Sequence, residues 1–250
     1  MPHGRVRRSA QVSIGVAVTS NRLLVTMIPA TMIANWRNTD GETETLRGGR
    51  HRMSKDEVYA SQRARLLRAV LDEVGTIGAS KVTVSGIVDR AKVSKKTFYE
   101  QFSGLDECLL EAIDVANEML RVDIERAASA ADGDWPFAAL RAGLNEYLEI
   151  CADDPALSLA LLTGWASLRS EATKRWLNYQ AFLEGIVVLG YEAEREISPE
   201  LPEVNSQNVI ASLGFLRYAT MRRLMAGDYE QLRSEASDVV DTFLTVLRGT

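Results

Sequence analysis

Histidine is nearly missing from this chain. Two of its 250 residues are histidine, His3 and His51, and both precede residue 54. The remainder therefore offers no histidine-containing triad, no histidine general base and no histidine metal ligand. Cysteine is equally sparse. Cys108 and Cys151 stand alone, without the spacing of a metal site or a disulfide framework. They read as two small core residues in a reducing compartment, and nothing in the sequence supports a redox switch. Six prolines, and few β-branched runs beyond residue 55, favour helix over strand. No glycine-rich loop follows a strand pattern, so no phosphate cradle is indicated. The longest weakly apolar stretch, residues 12–34, is interrupted by Arg22 and Pro29 and does not make a membrane span. These absences argue against an enzyme, a metal site and a membrane protein, and no cofactor is expected.

What the chain does have is an uneven charge. Its net charge is −5, but residues 1–54 carry +5, residues 55–102 carry +3 and residues 103–250 carry −13. A basic segment on an acidic body lets a polyanion approach one end only, because the body repels it. Arg5, Arg7 and Arg8 ahead of an apolar stretch resemble a secretory signal, yet Arg22 falls where an unbroken apolar run is needed. Residues 38–52 are polar, rich in Gly and Arg, and without helical period. Residues 1–53 are therefore expected to be a disordered extension or the product of a misassigned start. Ser54 and Glu57, in capping-box spacing, would open the folded chain, and the protein is expected in the cytoplasm.

From there the apolar spacing is helical. Ala60, Ala64, Leu67, Val70, Leu71 and Val74 mark one face of a first helix, closed by Gly75 and Gly78. Lys81 to Thr83 reads as an extended link. Thr83 is placed to cap a short second helix, Val84 to Arg90, and Ser94 a third, Lys95 to Phe102. A long fourth helix begins at Leu105, and Asp132-Gly133-Asp134 stops it. Pro136 can open a fifth, to about Ala152. A sixth runs from Asp154 to about Arg169 and a seventh from Glu171 to about Glu194. Two last helices span about Val204–Ala226 and Tyr229–Arg248. The expected fold is all-α, with a helix-turn-helix DNA-binding domain over 54–103 and a larger helical domain over 104–250.

On the third helix Phe98 and Phe102 share one face, while Lys96, Thr97 and Glu100 point away. A rigid helix held from behind and presenting donors in front is what a major groove requires. The segment from Thr83 to Phe102 resembles the DNA-binding segment of the tetracycline-repressor (TetR) family of bacterial transcription regulators. The matching features are the capping Thr83, Ile87 and Ala91 four apart, Val93-Ser94 at the turn, and the Phe98-Tyr99…Phe102 ending. The likeness extends in spacing over about residues 58–118. It implies base contacts from Lys95, Lys96 and Thr97, with help from Ser85, and phosphate contacts from Tyr99 and Thr83. Gln101 falls where a His is usual and would donate to base or phosphate. Three departures stand out. Lys92 replaces the usual turn Gly, Leu105 a common phosphate-binding Lys, and Glu100 brings a carboxylate to the outer face.

The same resemblance implies a ligand-responsive regulator: a repressor that binds a palindromic operator in double-stranded DNA as a homodimer and is released by a small-molecule inducer. Phe137, Tyr147, Trp165, Trp176, Tyr179 and Phe182 are the candidates for lining the inducer pocket, and a place in the core is the alternative for each. Ala211, Gly214, Phe215, Tyr218, Val239, Phe243 and Val246 on the last two helices are the candidates for the dimer seam. A constitutive DNA-binding protein of the same architecture, without an inducer, is the alternative function.

Overall fold

A computed structural model of the chain describes residues 54–131, 137–167 and 170–249. The expectations for residues 1–53, for the stop at 132–134 and for Pro136 lie outside these residues. Among the described residues every regular element is a helix: α1 (Lys55–Ile77), α2 (Val84–Ala91), α3 (Lys95–Gln101), α4 (Leu105–Ala130), α5 (Ala138–Asp153), α6 (Pro155–Thr163), α7 (Ser170–Arg195), α8 (Ser206–Ala226), α9 (Tyr229–Ser234) and α10 (Ala236–Arg248). Single 3₁₀ turns occupy Ala79–Lys81 and Gly164–Ser167. None of these helices is long and apolar enough to cross a membrane.

Local chemistry sets the first three helices. The Ser54 hydroxyl accepts from the Glu57 amide at 3.2 Å, and the Glu57 carboxylate accepts from the Ser54 amide at 2.7 Å. This reciprocal cap satisfies two amides that the first turn would otherwise leave unpaired. Gly75 lies inside α1, which runs on to Ile77 and stops where Gly78 takes φ +83°. Thr83 caps α2 by accepting from the Gly86 amide at 3.1 Å, and Ser94 caps α3 by accepting from Thr97 at 3.0 Å. Between α2 and α3 Lys92 adopts a left-handed conformation, φ +54° and ψ +46°.

The chain forms two compact units. The first comprises 54–119 and 159–167, and the second 120–158 and 170–249, so the division falls inside α4 and inside α6. In the first unit α1 packs on α2 and α3. Its core joins Leu66, Leu67, Val70 and Leu71 of α1 to Ile87 and Val88 of α2, to Phe98 and Phe102, and to Leu109, Ala112 and Ile113 of α4. Burying an aromatic or aliphatic side chain of this size contributes about 1.5–3 kcal/mol each. In the second unit α8 packs lengthwise on α10, and α5 packs on α9. Ser212, wholly buried, donates to the Asn208 carbonyl at 2.7 Å and reaches the Phe243 carbonyl at 3.3 Å.

Three boundaries differ from the sequence expectation. The link before Thr83 contains the turn at Ala79–Lys81, and only Val82 and Thr83 are extended. The sixth helix ends at Thr163 and not near Arg169. Gly164 follows it, a poor helix former, and a Cβ there would stand 3.6 Å from Val74 and 3.7 Å from Ile113. The last helix is two helices. It breaks at Glu235, whose carboxylate is held by Arg223 of α8 through Nε at 2.9 Å and Nη2 at 2.5 Å.

Candidate nucleic-acid interface

The helix-turn-helix is built so that one side of α3 is fixed and the other is free. Phe98 is wholly buried, stacks edge-on against Tyr99 at 5.3 Å and lies 5.6 Å from the ring of Phe102. Behind them Arg63 of α1 donates to the Gln101 carbonyl at 3.0 Å and pairs with Glu111 of α4, while its guanidinium carbon sits 4.3 Å from the centre of the Phe102 ring. Arg65 adds a bond to the Ala91 carbonyl at 3.0 Å, tying the end of α2 to α1. Sequence reasoning did not single out Arg63. Its signal was an arginine on the margin of the apolar stripe of α1, between Ala60 and Ala64.

Most of the expected DNA-contact side chains are open to solvent. Thr83, Ser85, Lys95, Lys96 and Tyr99 are exposed, and Thr97 is half-buried with its hydroxyl 2.9 Å from that of Ser94. Tyr99 keeps 60% of its surface exposed although its ring packs on Phe98. Lys96 Nζ lies 3.8 Å from the Glu100 carboxylate one turn along. An exposed pair of this kind contributes little to stability and is easily exchanged for other partners. Gln101 departs from the expected set. It is 8% exposed, and neither side-chain atom of its amide has a hydrogen-bond partner. It lies beside Phe98 on the inner side of α3, so in this conformation its amide does not face solvent.

The pocket candidates divide. Trp165 belongs to the first unit, whereas Phe137, Tyr147, Trp176, Tyr179 and Phe182 belong to the second. Phe137 is buried and packs on Tyr191 with ring centres 5.6 Å apart. Trp176 and Phe182 are half-buried. Tyr147 and Tyr179 carry their hydroxyls into the interior. Burial pushes both phenols well above their ordinary range, with the neighbouring Cys151 thiol adding to the effect. Burial also raises Cys151 to about 11, against hydrogen bonds with Ser158 and Tyr147 that pull it down. The second unit thus holds an inward cluster of uncharged polar groups from α5 and α7.

The seam candidates divide as well. Ala211, Gly214 and Tyr218 lie exposed on α8, and Phe215 and Val246 are half-buried. Phe243 and Val239 are 0% and 8% exposed within the single chain. Both are core residues, because the apolar face of α10 is taken up by α8, and they are removed from the seam. Ile210 and Met225, which sequence reasoning passed over, extend the exposed apolar surface of α8 at 48% and 71% exposure.

Comparison with known proteins places this geometry. Residues 66–112 match the model for bacterial regulatory proteins of the tetR family. No curated protein matches the chain in sequence. Among solved structures, a TetR-like transcriptional regulator from a Rhodococcus species superposes with a TM-score of 0.60 at 16% identity, over 79% of this chain and 98% of that one. The TetR-family regulator PfmR from Thermus thermophilus gives 0.57 at 22% identity, over 75% and 96%. FadR from Bacillus subtilis, solved in complex with stearoyl-CoA, gives 0.58 at 18% identity, over 74% and 98%. At these identities the likeness is one of fold. The matched segment runs from the second half of α1 into the first third of α4, so over that stretch the chain is similar to bacterial regulatory proteins of the tetR family, and its fold is similar to that of TetR-family regulators.

Proposed function

We propose that the chain is a non-enzymatic, cytoplasmic transcription repressor that grips a palindromic operator as a homodimer and lets go when a small molecule binds its second unit. The observation that carries this reading is the two-sidedness of α3. Phe98 and Phe102 anchor it, while Lys95, Lys96 and Tyr99 stand free for a major groove. Tyr99, Thr83 and Ser85 are the groups for phosphate, and Lys95, Lys96 and Thr97 those for base edges.

The effector site is assigned to the interior of the second unit, around Tyr147 and Tyr179. An aromatic lining with buried hydroxyls suits a largely apolar molecule with a hydrogen-bonding group. The FadR structure with stearoyl-CoA supports the idea of an acyl-type ligand on this fold. α4 contributes residues to both units, so a ligand that moves its second half acts on its first. To release DNA the ligand must favour the non-binding arrangement, because equal affinity for both states shifts nothing. Dimerisation is assigned to the exposed face of α8, through Ala211, Gly214 and Tyr218.

Titration of a labelled palindromic duplex at several salt concentrations tests the reading. Binding should weaken steeply with salt. Lys95→Ala and Lys96→Ala should each weaken it by about 1–3 kcal/mol where they reach bases. A purified dimer that ignores every duplex at low salt would overturn the proposal.

A further inference from the structure

Glu100 is the odd member of the free side of α3. At about 100° per residue, Lys96 points almost directly away from buried Phe98 and Gln101, and Tyr99 and Glu100 flank it at about 50° on either side. Glu100 is therefore part of the outward face and not of its margin. Its side chain is 56% exposed, and that of Lys96, one turn before it, is 86% exposed. An exposed carboxylate has no structural need to be there. The lysine–glutamate order along a helix is the less favourable one, so the pair adds little to the stability of α3.

A carboxylate only accepts hydrogen bonds. In a major groove it is repelled by phosphates, by guanine N7 and O6 and by thymine O4, and adenine sets an acceptor beside its amino group. Cytosine alone offers an amino donor without an acceptor on that edge. A G·C pair thus presents acceptors on its guanine side and a donor on its cytosine side. Lys96 and Glu100 present the complement, a donor and an acceptor 3.8 Å apart. The geometry points to a paired reader: Lys96 on guanine O6 or N7 and Glu100 on cytosine N4, fixing one G·C pair in each operator half-site. This rests on the DNA-binding function proposed above, and it makes Glu100 a specificity-determining residue whose carboxylate is a penalty at every other base pair.

Selection from a randomised duplex pool, with the full chain and its variants, tests the assignment. The wild-type protein should return a half-site with cytosine fixed at one position beside the bases that depend on Lys96. Glu100→Ala should reduce the preference for that cytosine by about tenfold and leave the rest of the half-site intact. Glu100→Gln should shift the preference towards adenine, because an amide can pair with adenine N6 and N7 together. Position 100 is exposed, and circular dichroism of each variant is the check that it folds. If both variants return the wild-type half-site and merely bind all duplexes more tightly, Glu100 only repels the backbone and the inference is wrong. If the wild-type protein enriches no duplex at all, the DNA-binding proposal itself falls, and this inference with it.

Discussion

Replacing Arg63 with methionine should loosen α3 from behind while leaving every outward-facing group in place. The guanidinium donates to the Gln101 carbonyl at 3.0 Å, donates through Nε to Glu111 at 2.8 Å, and lies over the Phe102 ring at 4.3 Å. The arginine side chain is 18% exposed and the glutamate 30%, so solvent screens the pair only in part. A hydrogen bond from a charged donor contributes about 1.5–3 kcal/mol, a cation–π contact at such a site about 0.5–1 kcal/mol, and the ion pair about 0.2–1 kcal/mol. These contributions overlap, and methionine keeps much of the packing of the arginine stem. The expected loss is therefore about 2–3 kcal/mol. Urea unfolding of the wild type, Arg63→Met, Glu111→Gln and the double variant would measure it, with a coupling of about 0.5–1.5 kcal/mol between the two sites. Amide exchange should rise across α3 and leave α8 and α10 unchanged, because the lost contacts lie in the first unit. DNA affinity should fall although no DNA contact is removed. If Arg63→Met unfolds at the wild-type urea concentration and exchanges no faster in α3, the guanidinium is not what braces the helix.

Gln101→Met removes two buried polar atoms that lack partners and nearly conserves volume, so it should stabilise the chain by about 1–2 kcal/mol, read as a raised Tm. A drop in Tm would mean that the amide is satisfied in solution. Cys151 should make stability fall at alkaline pH. Its folded thiol titrates near 11 and the unfolded one near 8.5, so between those values the unfolded state binds fewer protons and gains ground as pH rises. The contribution is fully present below about pH 8.5. Cys151→Ala should make that part of the profile shallower, with a residual slope from Cys108, whose thiol is also raised by burial, and an unchanged slope would contradict the assignment.

The caps at Ser54, Thr83 and Ser94 were legible because a cap is a local event. One side chain meets an amide three residues on, and the sequence carries both partners. The helix-turn-helix was legible for the same reason, since its turn and its aromatic anchors sit close together along the chain. Periodicity is weaker where several elements compete for one face. The apolar stripe of α10 was plain, but a stripe does not say whether the covering surface comes from the same chain. Here α8 supplies it, and Phe243 is lost to the seam. At the break Glu235 pairs with Arg223, twelve residues away on another helix, and no local pattern announces that contact. Gln101 was misplaced because family likeness reports what a position usually holds. A residue at that angle on α3 lies beside Phe98, where the amide is enclosed. Trp165 and Tyr147 look alike as aromatic candidates, and only the tertiary division separates them.

The left-handed Lys92 bears on any effort to engineer this protein. Glycine would sit there at ease, and a search for hardier variants would choose it early. Such a choice would erase a cation three residues ahead of Lys95, at the corner between α2 and α3. Backbone comfort and long-range attraction pull in opposite directions at this one dihedral angle, so under the proposed function the sturdiest version of the fold is not automatically the one that would hold DNA longest.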